Sequence, residues 1–216
     1  MFDKIKFLLK RPFRIPVILI TRFIPSFRFM YETYDYQCRA NFSFWFKQKV
    51  LNIGGNKMAY WPVHWTSTVY DADKIVVGVG SCPGFTGGAY ITGTGGLTIG
   101  DYCIFAKNLV IVTANHNVYD IRERIPSPVK IGSYCWLGAG AKIMPGVVLG
   151  DFTIVAAGAV VTKSFEKGYC VLGGIPAKVI SELDPDKCVR FEHKHKYIGY
   201  IKQEKFAAFR KKKLKL

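Results

Sequence analysis

Ile131-Gly132-Ser133-Tyr134-Cys135-Trp136-Leu137-Gly138-Ala139-Gly140-Ala141-Lys142-Ile143-Met144-Pro145-Gly146-Val147-Val148-Leu149-Gly150-Asp151-Phe152-Thr153-Ile154-Val155-Ala156-Ala157-Gly158-Ala159-Val160-Val161 decides the fold. An aliphatic residue returns at every sixth position: Ile131, Leu137, Ile143, Leu149, Val155 and Val161. An 18-residue step lays Ile131-Gly132-Ser133-Tyr134-Cys135 over Leu149-Gly150-Asp151-Phe152-Thr153. A helix repeats at about 3.6 and a strand at about 2, so neither explains a beat of six. Three sixes close one turn of a triangular coil in which each side sends one aliphatic side chain inward and small residues make the corners. The predicted fold is therefore all-β, a parallel β-helix of hexapeptide repeats.

On the N-terminal side the beat continues through Ile99, Phe105 and Ile111. Ile99-Gly100-Asp101-Tyr102-Cys103 is then copied by Ile131-Gly132-Ser133-Tyr134-Cys135 after 32 residues, where one coil takes 18. Fourteen extra residues must leave the coil between about Val112 and Pro128 and return. Such an extrusion costs ordering entropy and adds little core, which points to function. From Lys74 to Gly100 the phase is imperfect, but the density of Gly suits tight corners.

Residues 1–70 show no repeat and hold many aromatics, among them Trp45, Tyr60, Trp61 and Trp65. They are expected to form an aromatic N-terminal cap and acceptor region, because a coil end otherwise exposes apolar side chains and unpaired backbone. The β-helix is assigned to 71–180, with the extruded loop 112–128, and a basic C-terminal helix or tail to 181–216. That helix is expected to start at Asp184-Pro185 and to run past Val189, Phe191, Ile198, Phe206 and Phe209, with 211–216 frayed.

The net charge of +16 sits at the two ends of the 216-residue chain. Residues 1–30 carry seven Lys/Arg against one acid, and 187–216 carry eleven against two, while the middle is almost neutral. A body built to wrap nucleic acid would spread its basic residues across the folded surface, so no nucleic-acid partner is expected. Basic ends interleaved with Phe, Ile and Leu, as in Phe7-Leu8-Leu9-Lys10-Arg11 and Phe23-Ile24-Pro25-Ser26-Phe27-Arg28-Phe29, suit peripheral contact with an anionic membrane. A solvated tail is the alternative for the C-terminal end. No apolar run is long enough to span a bilayer, and the first residues lack a secretory pattern. The expected location is cytoplasmic, with the ends at the inner face of the membrane.

The six cysteines form no C-x-x-C pair and are read as reduced packing residues, Cys103 and Cys135 sharing one place in the repeat. The four histidines show no zinc spacing, so no metal is expected. His116 sits in the extrusion, within Thr113-Ala114-Asn115-His116-Asn117-Val118-Tyr119-Asp120. An imidazole, with a reference pKa of ~6.5, is mostly neutral yet still basic near pH 7, which suits a general base. Asp120, the nearest carboxylate in sequence, is a candidate to orient it, and Asp101 is a second one if the loop folds back. Asn115 is expected to brace the loop, by a local turn, or to touch an acceptor. Near the end of the coil, Gly173-Gly174-Ile175-Pro176-Ala177-Lys178 joins glycines to one cation able to meet a phosphate. Trp136 should point outwards, where an indole packs against a neighbouring subunit or a ligand.

Together, the hexapeptide series, the looped Asn115-His116, Cys135-Trp136-Leu137-Gly138-Ala139-Gly140 and Gly174-Ile175-Pro176-Ala177-Lys178 resemble the hexapeptide-repeat O-acetyltransferases, in the branch that acts on sugars, antibiotics and bacterial polysaccharides. The resemblance implies a left-handed parallel β-helix working as a homotrimer. It implies acetyl-CoA as co-substrate, its pantetheine arm outside the coils between two subunits. His116 then matches the catalytic base and Lys178 the position that approaches CoA phosphate. Gly138, Ala139, Ala156 and Ala157 match the small corners beside the pantetheine, with Gly174 and Trp136 along the same path. The first seventy residues depart from the maltose and galactoside acetyltransferases, which points away from a free small sugar. The implied reaction is acetyl transfer to a hydroxyl of a sugar or glycan precursor in bacterial capsule or surface polysaccharide biosynthesis. The alternatives are an N-acyltransferase on an amino sugar, a xenobiotic acetyltransferase of the streptogramin or chloramphenicol kind, and a non-catalytic trimeric β-helix module.

Overall fold

The computed structural model describes residues 27–34, 36–39 and 41–215. The cationic aromatic stretch 1–26, including Phe7 to Arg11 and Phe23 to Ser26, lies outside the described residues.

Strands numbered in chain order build three parallel faces. The first face holds β1 (Thr68–Tyr70), β3 (Tyr90–Thr92), β6 (Val110–Ile111), β11 (Lys142–Ile143) and β14 (Val160–Val161). The second holds β2 (Ile75–Val76), β4 (Leu97–Ile99), β9 (Val129–Ile131) and β12 (Val148–Leu149). The third holds β5 (Ile104–Phe105), β10 (Trp136–Leu137), β13 (Thr153–Val155) and β15 (Cys170–Gly174), closed by the antiparallel β16 (Ala177–Glu182). From β4 onwards the chain visits second, third and first face in turn, the path of a left-handed parallel β-helix.

The beat of six is the register of these faces. Ile91, Ile111, Ile143 and Val161 align strand to strand and are all fully buried. Phe105, Leu137, Val155 and Leu172 stack in the same way on the third face, as do Ile99, Ile131 and Leu149 on the second. Each buried aliphatic side chain of this size contributes roughly 1.5–3 kcal/mol. Cys103 and Cys135 are buried inside the coil, as free thiols.

Some expectations change. The coil starts at Thr68, where β1 pairs with β3, because Val69 already aligns with the core residue Ile91. Beyond Val161, where the beat of six ends, the coil continues: Phe165 bridges Leu149, and Cys170 to Leu172 pair with Thr153 to Val155. These last sides arrive after 16 and 17 residues in place of 18, so the period misses them. Asp184 does accept from the Asp186 N–H, but it caps only the three-residue 3-10 turn Pro185–Lys187.

The following residues run extended because an aromatic ladder holds them. Tyr102, Tyr134, Phe152 and Tyr169 occupy equivalent corners at φ 56, 59, 54 and 47°. Left-handed backbone is costly for bulky residues, and here mutual stacking offsets it, with successive ring centroids 5.4, 4.9 and 5.2 Å apart. Phe191 and His193 pack on Tyr102, and the Arg190 guanidinium lies over Tyr134 and Phe152. The C-terminal helix itself covers only Gln203–Lys213. Lys215, expected within a frayed end, is held: its N–H donates to Asp73 O at 2.7 Å and its ammonium pairs with the Asp73 carboxylate at 2.9 Å, while Leu216 lies outside the described residues.

Among the described residues two short helices, α1 (Arg28–Glu32) and α2 (Phe42–Lys49), precede the coil, and Gln203–Lys213 is α3. The Asn41 side chain caps α2 by accepting from the Phe44 N–H. Over the first coil, the Tyr60 hydroxyl donates to Ile75 O and the Trp61 indole to Pro83 O.

Glu32 ties α1 to the C-terminal strap: it accepts from the Tyr197 hydroxyl and lies 3.0 Å from Arg28. Burial pushes its carboxyl up, but the Tyr197 hydrogen bond and then Lys202, His195 and Arg28 outweigh this and hold it below the ordinary glutamate value. A depressed folded pKa stabilises the protein above the unfolded value of ~4.3 and is lost as pH falls through the folded one. Glu32→Gln is expected to lower stability by about 1 kcal/mol at neutral pH and to flatten the acid side of a Tm-against-pH curve. An unchanged curve contradicts this.

Candidate active site

The extrusion is a hairpin leaving the corner between the first and second faces. β7 (Ala114–His116) pairs with β8 (Arg124–Pro126), setting Asn115 opposite Ile125 and His116 opposite Arg124. Its neck closes where the Ser127 N–H donates to Thr113 O at 2.8 Å. The fully buried Thr113 hydroxyl donates to Thr92 O and accepts from the Gly95 N–H, each at 2.9 Å. A Cβ on Gly95 would stand 1.9 Å from Thr113 O, so only glycine lets the neck seat on the coil. The hairpin is thus fastened at its base and exposed at its tip, where Val118, Tyr119 and Ile121 face solvent.

His116 Nδ1 lies 2.5 Å from the carbonyl oxygen of Ile121. A carbonyl only accepts, so in the neutral ring Nδ1 carries the proton and Nε2 keeps the lone pair. That is the tautomer a general base requires. Asp120, read as the orienting carboxylate, does not reach the imidazole. It takes the Arg122 Nε and NH2 groups at 2.9 and 2.7 Å and the Arg122 N–H at 3.0 Å, and this pairing holds its carboxyl below the usual range. Asp101 remains on the coil, accepting from the Val79 N–H. A backbone carbonyl orients His116 because the tight return of the tip brings Ile121 five residues back onto it.

His116 and Asn115 line a cavity of about 460 Å³ on the first face, with Tyr70, Asp71, Tyr90, Thr94 and Arg124. Tyr70 and Tyr90 stand edge to face, 5.9 Å between centroids, and the Thr94 hydroxyl donates to Asp71 at 2.8 Å. The sequence reading missed these five residues. They fall where the six-residue phase is broken, so only strand register brings Tyr70 and Tyr90 together.

The other candidates gather at the opposite edge of the first face and on the third. The corners stack: the Gly138 N–H donates to Val155 O, Ala156 N–H to Leu172 O and Gly158 N–H to Ala139 O. A Cβ on Gly138 would meet Ala157 N at 2.6 Å, so this glycine serves the stacking of coils. Ala139 and Ala157 are exposed, with Ala156 half-buried, leaving a shallow small-residue strip. Trp136 points outwards, half exposed, in register with Ile154 and Val171. Gly174 and Lys178 are exposed on the β15–β16 hairpin, with Lys178 opposite Gly173. Within one chain the imidazole cavity and the strip that leads to Lys178 therefore occupy two separate edges. Among the described residues no three His, Cys, Asp or Glu side chains come together to hold a metal ion.

The bacterial transferase hexapeptide (six repeats) family pattern matches residues 128–163. The galactoside O-acetyltransferase of Escherichia coli (strain K12) is 36% identical over 101 residues, covering 44% of this chain and 49% of that one. The chain thus spans about half the length of this and several other curated relatives it matches. A probable macrolide acetyltransferase of Lysinibacillus sphaericus is 30% identical over 132 residues, covering 51% of this chain and 73% of the relative. The solved structure of a galactoside acetyltransferase in complex with coenzyme A superimposes with a TM-score of 0.51 at 26% identity, over 81% of this chain and 87% of that one. With the coil, its extruded hairpin and these relatives in agreement, the chain belongs to the hexapeptide-repeat acetyltransferase family, related to its sugar and xenobiotic enzymes.

Proposed function

We propose that the chain is an O-acetyltransferase that moves an acetyl group from acetyl-CoA to a sugar hydroxyl in bacterial capsule or surface polysaccharide assembly, working as a homotrimer. The observation that carries this is the contact of His116 Nδ1 with Ile121 O, which leaves Nε2 as the basic nitrogen of the neutral ring, on a residue lining a cavity. His116 takes the proton of the acceptor hydroxyl as that oxygen bonds to the acetyl carbonyl carbon. The tetrahedral oxyanion collapses, the C–S bond breaks, and His116 returns its proton to the departing CoA thiolate. No acyl-enzyme forms, which leaves the buried Cys103 and Cys135 as packing residues.

A sugar suits the cavity. Exposed tyrosine rings receive the C–H face of a pyranose, while Asp71, Thr94 and Asn115 supply hydrogen-bonding groups for its hydroxyls. The strip of Ala139, Ala156 and Ala157 offers a path for the pantetheine arm, with Trp136 and Gly174 flanking it and Lys178 at its phosphate end. Trimerisation reconciles the two separated edges. A neighbouring copy brings its own strip towards the imidazole and covers the apolar hairpin tip, 97% exposed at Tyr119. Lipid-linked or nucleotide-linked sugars are the acceptors that fit a cytoplasmic enzyme at the inner membrane face.

The macrolide acetyltransferase relative favours a second reading, an antibiotic hydroxyl as acceptor in the same cavity. Thiol release from acetyl-CoA, followed against nucleotide sugars, lipid-linked sugars, free saccharides, amino sugars and macrolides, separates these readings. Hydroxyl-bearing glycan precursors are expected to accelerate release; release with macrolides alone assigns the second reading, and release with amino sugars alone makes it an N-acyltransferase. Lys178→Ala is expected to weaken CoA binding by about tenfold while sparing kcat. An unchanged Kd in calorimetry removes Lys178 from the CoA site.

A further inference from the structure

The described N-terminal helices and the cationic C-terminal helix meet over the first coil. Tyr60, over the first coil, packs its ring against Phe206 and Phe209 of α3, at 5.5 and 5.1 Å. Tyr200, just before α3, packs against Phe29 of α1 at 5.0 Å and donates to Gln48 of α2. Helix α3 keeps Lys205, Arg210, Lys211, Lys212 and Lys213 exposed, against the single acid Glu204.

The adjoining N-terminal surface exposes large apolar side chains. Phe42 and Phe46, one turn apart on α2 with rings stacked at 5.9 Å, are exposed, as are Val50, Leu51 and Ile53 beyond the helix. Met58 is 78% exposed. Lys47 lies 4.3 Å from the Trp65 ring centre, and Lys57 is exposed. From Tyr36 to Tyr70 the sequence holds four Lys/Arg and no Asp or Glu. A run of exposed large apolar side chains of this extent marks a docking surface.

Charge selects the occupant. Residues 1–26 join the described chain at Phe27, whose ring packs edge-on to Phe42 and Trp45 at 5.6 and 4.9 Å. They carry six Lys/Arg and one Asp, so laying them over this surface sets like charges together. A second copy of the same surface does so too. An anionic bilayer accepts apolar side chains at its headgroup boundary and lysines at its phosphates and carboxylates. We propose that this end of the molecule docks on an anionic lipid surface, with Phe42, Phe46, Leu51 and Met58 as apolar anchors and the lysines of α3 as its cationic flank. This names the surface behind the membrane-face placement proposed above and holds without the acetyl-transfer reading.

The test is sedimentation of the full chain with vesicles of phosphatidylcholine alone or mixed with phosphatidylserine. Binding is expected to the mixed vesicles, with release by high salt. Leu51→Ser/Met58→Ser and Lys211→Gln/Lys212→Gln/Lys213→Gln alter exposed side chains only, and each is expected to weaken partitioning about tenfold. Circular dichroism checks that both variants stay folded. Absence of binding, equal binding to the neutral vesicles, or parent-like binding by both folded variants overturns the proposal. Self-association beyond a trimer that Leu51→Ser/Met58→Ser abolishes assigns the surface to a second copy and overturns it as well.

Discussion

His116→Ala is expected to lower kcat by about 10²–10⁴ while leaving fold, oligomeric state and CoA affinity close to those of the parent. The fold is spared because the hairpin is fastened at its neck by Thr113, Thr92, Gly95 and Ser127, none of which touches the imidazole. Losing the side chain uncovers only the exposed Ile121 carbonyl, which water satisfies, so stability should change by less than about 1 kcal/mol. CoA affinity is spared because the proposed phosphate and pantetheine contacts lie on the third face and its corner. Single-turnover kinetics with saturating acetyl-CoA, together with a CoA titration, separate these quantities. A variant that transfers at the parental rate takes His116 out of the mechanism.

Gln48→Leu is expected to cost about 3–5 kcal/mol, which is a large share of the stability of a domain this size. The Gln48 amide is 2% exposed and makes every bond it has to offer. Its two Nε2 hydrogens are shared among Asn56 O, Ala59 O and Trp61 O at 3.1, 3.3 and 2.9 Å, and its oxygen accepts from the Val63 N–H and the Tyr200 hydroxyl at 3.1 and 2.6 Å. Lys49 also reaches Ala59 O, so that carbonyl keeps a partner in the variant. Asn56 O likewise keeps the Ala59 N–H at 3.2 Å. Trp61 O, the Val63 N–H and the Tyr200 hydroxyl lose Gln48 as their partner, in surroundings where each buried orphan costs about 1–3 kcal/mol. Because Tyr200 belongs to the C-terminal segment, the loss should also loosen α3 from the coil. Chemical denaturation checks the magnitude, and a change below about 1 kcal/mol would show that the cap is not held through this amide.

Much of the coil was legible because its core is a sequence period. Leu137, Ile143 and Leu149 are spaced by the geometry that buries them, and the 32-residue gap between two copies of one motif located the hairpin without any reading of its own strands. Side chains that act singly were harder to place. His116 stood out by its residue type, but its partner is a main-chain carbonyl, which every residue possesses and no sequence distinguishes. Asp120 was near in sequence yet bound to Arg122, because a strong ion pair two residues away outcompetes a contact that would need the tip to fold differently. Tyr70 and Tyr90 meet only through the register of β1 on β3, a long-range pairing in the stretch where the beat is irregular. The C-terminal helix was placed too early for a related reason: Phe191 packs on Tyr102 and Tyr134 of the aromatic ladder in extended form, and that ladder depends on corners stacked from four successive coils.

The most direct test is a crystal structure with CoA bound. The predicted result is a trimer with the pantetheine arm along the Ala139, Ala156 and Ala157 strip, its sulfur within about 3–4 Å of His116 Nε2 from an adjacent protomer. CoA bound away from that cleft, or a monomer that binds it with His116 remote from the sulfur, would contradict the account.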